Sequence, residues 1–209
     1  MVKRIDELLA TDALAAIEAA VRGAERTTSG EIVPMLVERS DSYADVRLGA
    51  AALVAIAAGG LFLAFRPLLS DWLVPAQLSV FAALCWAFGW APLLGLVAPN
   101  PLFAERVHRA ASLAFHEAGL VATRDRTGIL IYVSLLERRV QVLADRGIHE
   151  RVPDGTWDDV IDKVVAGIRE HRADEGMVEG IQLCGQILAR HFPPRPDDVN
   201  ELPDRPRGA

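Results

Sequence analysis

Two long apolar runs without a single charged side chain lie in the middle of this 209-residue chain. The first covers residues 48–65, the second covers residues 72–104, and six residues separate them. A helix rises about 1.5 Å per residue, so about 20 residues cross the hydrocarbon core of a bilayer. The runs predict two transmembrane helices, at about 48–65 and 73–98. The alternative is a soluble protein with two buried helices, for which a domain of this size has little room.

The charged residues, 22 Lys and Arg and 28 Asp and Glu, all lie outside these runs. The net charge of -6 and the lack of a basic stripe argue against nucleic acid as a partner, because neutralising phosphates needs clustered Lys and Arg. The cysteines, Cys85 and Cys184, are predicted to be small buried apolar residues rather than a disulfide. The first 45 residues contain no apolar h-region, so we expect no cleaved secretory leader.

Small residues recur every fourth position in both runs, at Ala51, Ala55 and Gly59 and at Ala83, Ala87 and Ala91. Helices in lipid associate through close backbone approach at small residues. We therefore expect the two stripes to face each other, or to serve as the contact faces of a homo-oligomer. General richness in alanine is the other interpretation. Pro92 should kink the second helix or mark the point where it leaves the bilayer.

Positive charge near the two runs predicts the orientation in the membrane. The flanks carry Arg39 and Arg47 on one side and Arg106 and Arg109 on the other, whereas the turn carries Arg66 alone. Cytoplasmic loops of membrane proteins carry the excess of Lys and Arg. The sequence thus predicts an integral protein of the bacterial inner membrane, with the soluble domain and both termini in the cytoplasm and the turn outside.

The soluble segments read as helix and strand before the apolar runs, and as helix, strand, strand, helix and helix after them. Residues 31–38 form the first strand, in which Pro34 indicates an edge strand or a bulge. Residues 129–135 are nearly all apolar, as in a strand buried on both faces. The alternation of Val140, Val142 and Ala144 predicts an antiparallel partner for that strand.

A lone strand is not stable, so the first segment should pair with the strands of the second. We predict one α/β domain, a small α/β/α sandwich with a mixed sheet and helices on both faces, made of residues 1–45 and 99–192. The helical hairpin of residues 46–98 interrupts it. The proline-rich tail of residues 193–209 has few apolar groups and is predicted to be disordered.

Several short motifs in these segments occur in the same order in a known family. They are Thr28-Ser29-Gly30-Glu31-Ile32-Val33 after the helix of residues 17–26, Thr127-Gly128-Ile129-Leu130-Ile131, Arg138-Arg139-Val140-Gln141-Val142, Gly147-Ile148 with Pro153-Asp154, and Gly180-Ile181. The chain resembles the TPM domain family (DUF477) over roughly residues 10–45 and 105–192. Asp145 departs from a glycine usual in the family, and most members have a signal peptide, a single anchor and a domain outside the cytoplasm.

The resemblance implies a link to thylakoid-lumen and photosystem II repair proteins and to bacterial membrane proteins. Some relatives are reported to bind calcium or to show acid phosphatase activity, so the resemblance implies a case for each. The sequence contains no H-E-x-x-H, G-x-S-x-G or P-loop motif, and its five histidines form no i, i+4 pair.

Carboxylates near strand and helix ends are the candidate metal ligands: Asp125, Asp145, Asp154 and Asp158. If these ends converge, their oxygens suit a hard cation such as Ca²⁺ or Mg²⁺. The other interpretation makes Asp154 and Asp158 helix-start residues and Asp125 a turn former. Arg138 and Arg139 are candidates for contact with a partner or an anion, although turn solvation explains them equally well.

Two functions follow from this reading. The first is a non-enzymatic accessory or interaction module for membrane proteins that requires no cofactor and has the lipid bilayer and other membrane proteins as partners. The alternative is a divalent-metal-dependent phosphate-ester hydrolase, in which Asp125, Asp145 and Asp154 would hold a cation that polarises the phosphoryl oxygen. We prefer the first because no nucleophile or base is recognisable beside these residues. A transporter ranks third, since the spans contain no charge.

Overall fold

The computed structural model describes residues 11–65, 72–153, 155–195, 197 and 200–208. The chain divides into two compact units. We call the described residues up to Ser40 and from Ala104 onward the α/β unit, and the described residues from Asp41 to Phe103 the helical unit. The turn of residues 66–71, where the sequence analysis places Arg66, lies outside the described residues.

The sheet of the α/β unit joins the two segments that the apolar runs separate. Its strands are β1 (Glu31–Val37), β2 (Gly128–Ser134), β3 (Arg139–Ala144) and the two-residue β4 (Arg207–Gly208), in the order β3-β2-β1-β4. β1 runs parallel to β2, with Glu31 opposite Gly128, and β3 runs antiparallel to β2. The predicted pairing of the first strand with the second segment and the predicted hairpin are both confirmed.

Helices cover both faces of this sheet, as predicted. In chain order the described helices of the unit are α1 (Thr11–Glu25), α5 (Asn100–Glu117, which begins in the helical unit), the single-turn α6 (Arg146–His149), α7 (Asp158–Arg169) and α8 (Ala173–His191). On one face, apolar side chains of α1, α7 and α8 pack on Ile32, Ile129 and Ile131. On the other face, Val107 and Phe115 of α5 pack with Val33. Every residue of β2 is buried, which agrees with its continuous apolar sequence.

The C-terminal segment differs from its prediction. Composition predicts that residues 193–209 are disordered, yet β4 pairs in parallel with Met35 and Leu36 at the outer edge of β1. The side chain of Leu202 packs against the apolar cluster under α5. Composition misses this because a strand edge supplies backbone hydrogen-bonding groups to any extended segment, whatever its sequence.

The helical unit contains α2 (Ala44–Phe65), α3 (Leu73–Ala87) and α4 (Ala91–Val97). Among the described residues, α2 is the one helix that is long and apolar enough to cross a membrane. The predicted second helix over residues 73–98 is divided, because the chain leaves helical geometry between Ala87 and Ala91. Pro92 lies in the first turn of α4 and explains the break, since proline cannot donate the hydrogen bond that would continue α3. Pro75 lies in the first turn of α3, where it is tolerated.

The small-residue stripe of α2 faces α3, whereas the first residue of the second predicted stripe is exposed. Ala51, Ala55 and Gly59 are all buried, and the Gln77 side-chain amide of α3 lies 3.4 Å from the Ala55 carbonyl oxygen. Ala83 is exposed. The four-residue spacing therefore predicted the buried face of α2 correctly, and it was wrong for Ala83 on α3.

Candidate functional site

The end of the sheet at which β1 and β2 begin and β3 finishes is crowded with charged side chains. We call it the charged edge and define it by Glu25, Glu31, Arg124, Asp125, Arg126 and Asp145, together with the residues of the C-terminal segment that contact them. Two parallel strand starts and one antiparallel strand end meet here because of the strand order. Asp125 and Asp145 therefore lie at the same edge, as the metal hypothesis requires.

Asp145 caps the short helix α6 and is nearly buried. Its Oδ1 accepts a hydrogen bond of 2.8 Å from the Arg146 backbone N–H. Its Oδ2 is buried and has no hydrogen-bond partner among the described residues, although the Arg126 guanidinium lies 3.6 Å away. An aspartate at this position thus acts as an N-cap, and its second oxygen faces the Arg126 guanidinium.

Asp125 lies in the turn before β2, and its carboxylate forms an ion pair with Arg195. The turn packs directly against α6 at Gly147. A Cβ atom at Gly147 would lie 2.7 Å from the Arg126 carbonyl oxygen and closer still to that of Asp125, so no other residue fits there without movement. The backbone of this turn is therefore held next to Asp145, while the Asp125 side chain is committed to an arginine.

The two remaining acidic candidates contribute less. Asp158 is the first residue of α7 and is exposed, which matches its interpretation as a helix-start residue. Asp154 lies outside the described residues. Among the residues that the structure describes, no three His, Cys, Asp or Glu side chains are grouped so that they could hold a metal ion. The four-carboxylate site stays a prediction.

Arg138 and Arg139 lie at the opposite end of β2 from the charged edge. Arg138 is exposed and has a positive φ of 51°, which closes the turn between β2 and β3. Arg139 begins β3 opposite Ser134. The proposed anion contact and the proposed metal ligands are thus at opposite ends of the sheet and do not form one site.

A buried network of hydroxyl groups and one carboxylate lies near this turn. The Glu137 carboxylate accepts hydrogen bonds from the Ser134 hydroxyl and from the Ser40 backbone N–H, and the Tyr132 hydroxyl donates to the Ser40 hydroxyl over 3.2 Å. Burial raises the pKa of Tyr132, so this phenol stays protonated at neutral pH. Ser134 is fully buried, so its hydroxyl has no access to a substrate. The network therefore stabilises the fold and does not supply a nucleophile.

Glu25, at the end of α1, is the functional candidate that sequence reasoning missed. Its Oε1 accepts a 2.9 Å hydrogen bond from the Ile32 backbone N–H. Burial, opposed by that bond and reinforced by the charges of Glu31 and Asp204, raises the pKa of Glu25 to about 8. A signal was present, since Ile17, Val21 and Glu25 follow one another at the four-residue spacing of the apolar face.

A cavity of about 330 Å³ opens beside Glu25 at the charged edge. It is lined by both acidic and basic side chains, including Arg22, Arg26, Glu31 and Arg195. Guanidinium groups are suited to holding carboxylate or phosphate, and a carboxyl with a pKa near neutrality can hold or release a proton. Cys184, the buried thiol of α8, has its pKa raised by burial and takes no part in such chemistry.

The comparisons with known proteins concern the fold and the second segment. The TPM domain family matches residues 99–187, which run from the residue before α5 into α8. The NMR structure of the BA42 protein from the psychrophilic bacterium Bizionia argentinensis aligns with a TM-score of 0.61 over 96% of this chain and 94% of that chain, at 22% identity. At that identity the likeness concerns the fold alone. No curated protein matches the chain.

Proposed function

We propose that this chain, whose residues 99–187 match the TPM domain family, is a membrane-anchored interaction module. In this proposal the helical unit lies in the lipid bilayer and the α/β unit binds other membrane proteins at its charged edge. The module has no catalytic role and requires no cofactor.

The surface of the helical unit is the observation that carries the proposal. Every exposed large apolar side chain among the described residues except Leu113 belongs to this unit. Leu53 is 71% exposed and Leu96 is 80% exposed, and only 17% of the apolar window of α2 is buried. Soluble proteins rarely expose a continuous apolar surface of this kind. Contact with lipid removes the free-energy cost of exposing this apolar surface to water. In a soluble protein with two buried helices, the same surface would be buried.

The polar groups of the helical unit support the same arrangement. The Arg47 guanidinium, in the first turn of α2, donates a 2.9 Å hydrogen bond to the Cys85 carbonyl oxygen in the last turn of α3. Carbonyl groups in a last helical turn lack a helical partner, and in lipid each must find one. In this proposal the start of α2 and the end of α3 therefore lie at the same depth in the bilayer. Arg47, the only charged residue of α2 after its first two residues, lies at that depth.

Membrane association is tested with the full-length chain in native membranes. We expect it to stay in the pellet after ultracentrifugation and alkaline carbonate extraction, and to enter the supernatant only with detergent. A variant with Leu53→Lys and Ile56→Lys should become extractable, because each charge near mid-bilayer costs about 2.5–3.5 kcal/mol. Wild-type chain in the aqueous supernatant would refute the anchoring.

The cytoplasmic orientation is part of the same proposal and has its own test. In a Cys85→Ser background, a membrane-impermeant maleimide added to intact cells should label Ser70→Cys in the turn and not Glu150→Cys in the α/β unit. Permeabilised cells should show labelling at both positions. Labelling of Glu150→Cys alone in intact cells would reverse the orientation.

The interaction role is tested by crosslinking in native membranes. A photo-reactive residue at Arg126, on the charged edge, should capture one or a few membrane proteins reproducibly. The matched position is Arg169, an arginine at the end of α7 that lies away from the charged edge, and it should not capture the same proteins. Equal capture at both positions would contradict a specific docking surface.

A second candidate, the divalent-metal-dependent phosphate-ester hydrolase, draws on the buried Oδ2 of Asp145, which receives no hydrogen bond from the described residues. In this alternative Asp145, with Asp125 and Asp154, binds Ca²⁺ or Mg²⁺ that polarises a phosphoryl oxygen. Calorimetric titration with each metal and hydrolysis of p-nitrophenyl phosphate test it directly. Binding and turnover that Asp145→Asn abolishes and Asp158→Asn leaves intact would favour the enzyme over the interaction module.

A further inference from the structure

The chain passes between the two units at the end of the sheet that lies opposite the charged edge. Ser40 is the last residue of the α/β unit before the helical unit, and Ala104 is the first residue after it. The Ser40 backbone N–H donates a 2.9 Å hydrogen bond to the Glu137 carboxylate, in the turn between β2 and β3. That turn therefore lies where the chain leaves the α/β unit.

Helix α5 brings the chain back at the same end of the sheet. His108 Nδ1 lies 2.8 Å from the side-chain amide nitrogen of Gln141 in β3. Gln141 and Arg139 are two positions apart on β3, so their side chains lie on the same face of the sheet. The turns of α5 that carry Arg106 and Arg109 therefore lie over the same end of that face as Arg139. We call the following residues the crossing end: 38–40, 104–109 and 135–139.

Positive charge exceeds negative charge at the crossing end, although the whole chain has a net charge of -6. Of its three acidic residues, Glu38 is exposed, Glu105 pairs with Arg109 over 2.8 Å, and both oxygens of Glu137 accept hydrogen bonds. Arg39 and Arg138 are exposed, and neither forms an ion pair with a residue that the structure describes. We call the five arginines of the crossing end the arginine patch: Arg39, Arg106, Arg109, Arg138 and Arg139.

The signal for membrane insertion accounts for only part of the arginine patch. The excess of Lys and Arg that sets orientation is counted within about 15–20 residues of the ends of a span. Arg138 and Arg139 come more than 40 positions after Val97, the last residue of α4. They reach the crossing end because β2 and β3 fold back to it, so the fold adds positive charge where the insertion signal does not require it.

The turn itself does not call for an arginine at position 138. The φ of Arg138 is 51°, in the left-handed region that glycine and asparagine adopt more readily than other residues. The Arg138 backbone N–H closes the turn by donating to the Leu135 carbonyl oxygen, a bond that any residue except proline could form. The positive side chain is therefore the property that a glycine at this position would not supply.

We propose that the arginine patch binds the phosphate groups of anionic phospholipid headgroups. The proposal rests on the membrane anchoring proposed above. Ala44, which begins α2, follows Ser40 by four positions, and four positions of extended chain span at most about 14 Å. An anchored helical unit thus keeps the crossing end near the headgroup layer, whose cytoplasmic face is negative. Guanidinium groups bind phosphate oxygens through paired hydrogen bonds, so the patch holds the α/β unit on this anionic surface.

The lipid selectivity of the full-length chain in phosphatidylcholine liposomes tests this binding. In a Cys85→Ser background, a bimane label is attached at Leu136→Cys in the turn, while Cys184 is buried and takes no label. Quenching by phosphatidylglycerol with a doxyl group near the headgroup is compared with quenching by the matching phosphatidylcholine. The association constant should be at least about fivefold higher for phosphatidylglycerol, since one arginine at an anionic surface contributes about that factor. About 1 M salt should remove the difference.

Matched double variants separate the arginine patch from the net charge of the chain. Arg39→Gln with Arg138→Gly removes two exposed charges of the patch, and the selectivity should fall to near one. Glycine suits the positive φ at position 138, so thermal unfolding should show no loss of stability. The control is Arg146→Gln with Arg190→Gln, which removes two arginines from α6 and from the last turn of α8, toward the charged edge. It should keep the wild-type selectivity.

Carbonate extraction of the same liposomes distinguishes a failure of this proposal from a failure of the anchoring. Equal quenching by the two lipids in a wild-type chain that stays in the pellet would overturn lipid binding and leave the anchoring intact. A chain that leaves the pellet would overturn both. Wild-type selectivity in the Arg39→Gln, Arg138→Gly variant would overturn the assignment to the patch. Loss of selectivity in millimolar inorganic phosphate at constant ionic strength would mean that the patch binds free phosphate instead of lipid.

Discussion

Gly167 and Gly176 let α7 and α8 approach each other more closely than any other residue type would allow. A Cβ atom on Gly167 would lie 2.6 Å from the Gly176 Cα atom and 2.8 Å from the Arg172 carbonyl oxygen. Both of these neighbouring atoms belong to the backbone, which cannot make room by a change of rotamer as a side chain can. The close packing of α7 against α8 therefore requires that neither Gly167 nor Gly176 carries a Cβ atom.

We expect Gly167→Ala to destabilise the α/β unit by about 1–3 kcal/mol, because the two helices must separate to admit the new methyl group. Gly23→Ala is the matched control, since Gly23 is also in a helix and has no atom within 4 Å of the added Cβ position. That control should stabilise the chain by about 0.5–1 kcal/mol through helix propensity. Urea denaturation in detergent measures both, and equal effects would contradict the close approach.

At the scale of single residues the sequence was informative where periodicity could place a side chain. The burial of Cys184 was predicted from its position on a helical stripe, and one interpretation of Asp158 placed it at a helix start, where it is the first residue of α7. The ion pair between Arg22 and Asp204 was beyond reach, because it joins side chains 182 positions apart that only the fold brings together.

At the scale of elements, the contact between α2 and α3 depends on one glycine. The Gln77 side chain lies over Gly59, where an added Cβ atom would be 2.5 Å from the Gln77 amide nitrogen. The neighbouring Gly60 points away and has no atom within 4 Å of its Cβ position. Gly59 and Gly60 therefore lie in the same helix and the same apolar run, but only Gly59 is packed against another side chain.

This difference gives a test of the helical unit. Gly59→Leu should displace Gln77 and weaken the contact between α2 and α3, at a cost of about 1–3 kcal/mol. Gly60→Leu should have little effect, since its side chain points into open space. Thermal unfolding followed by tryptophan fluorescence in detergent reports on the pair through Trp86 and Trp90, which stack edge to face. Equal melting curves for the two variants would contradict the assigned face.

The presence of the long helices and strands was predictable from the sequence, whereas the residues at which they end were not. The three long strands and the four long helices of the α/β unit follow from apolar periodicity, because burial on one face leaves that pattern in the sequence. The division of the second apolar run was missed, since a uniformly apolar sequence carries no period from which an interruption can be located. β4 was missed because its pairing uses backbone groups alone.

At the scale of the whole molecule, the core of the α/β unit belongs to neither segment by itself. Ile17, Val21 and Ile32 from the first segment pack in one cluster with Ile129 and Ile131 from the second. The sequence analysis predicted this union from the instability of a lone strand. The apolar runs between the segments gave no information on the register, which sets Glu31 opposite Gly128.

A fragment of residues 104–209 should therefore fail to fold alone, because removal of α1 and β1 leaves one face of the core and one edge of β2 uncovered. Proton NMR should show poor chemical-shift dispersion for this fragment. Co-expression with residues 1–40 should restore a dispersed spectrum, whereas residues 1–40 with Ile32→Asp should not, since that charge would be placed in the core. A cooperative melt of the lone fragment would contradict the shared core.

The parallel pairing of β1 with β2 also sets an order of events during synthesis. The ribosome finishes β1 about ninety residues before it reaches β2, and most of what it makes in between is the helical unit. In the proposed arrangement the hairpin has entered the lipid by the time the sheet can close. A hairpin of which only one helix crossed the bilayer would leave β1 and β2 on opposite sides, so in this arrangement the sheet can close only when the chain has returned to the side on which β1 was made.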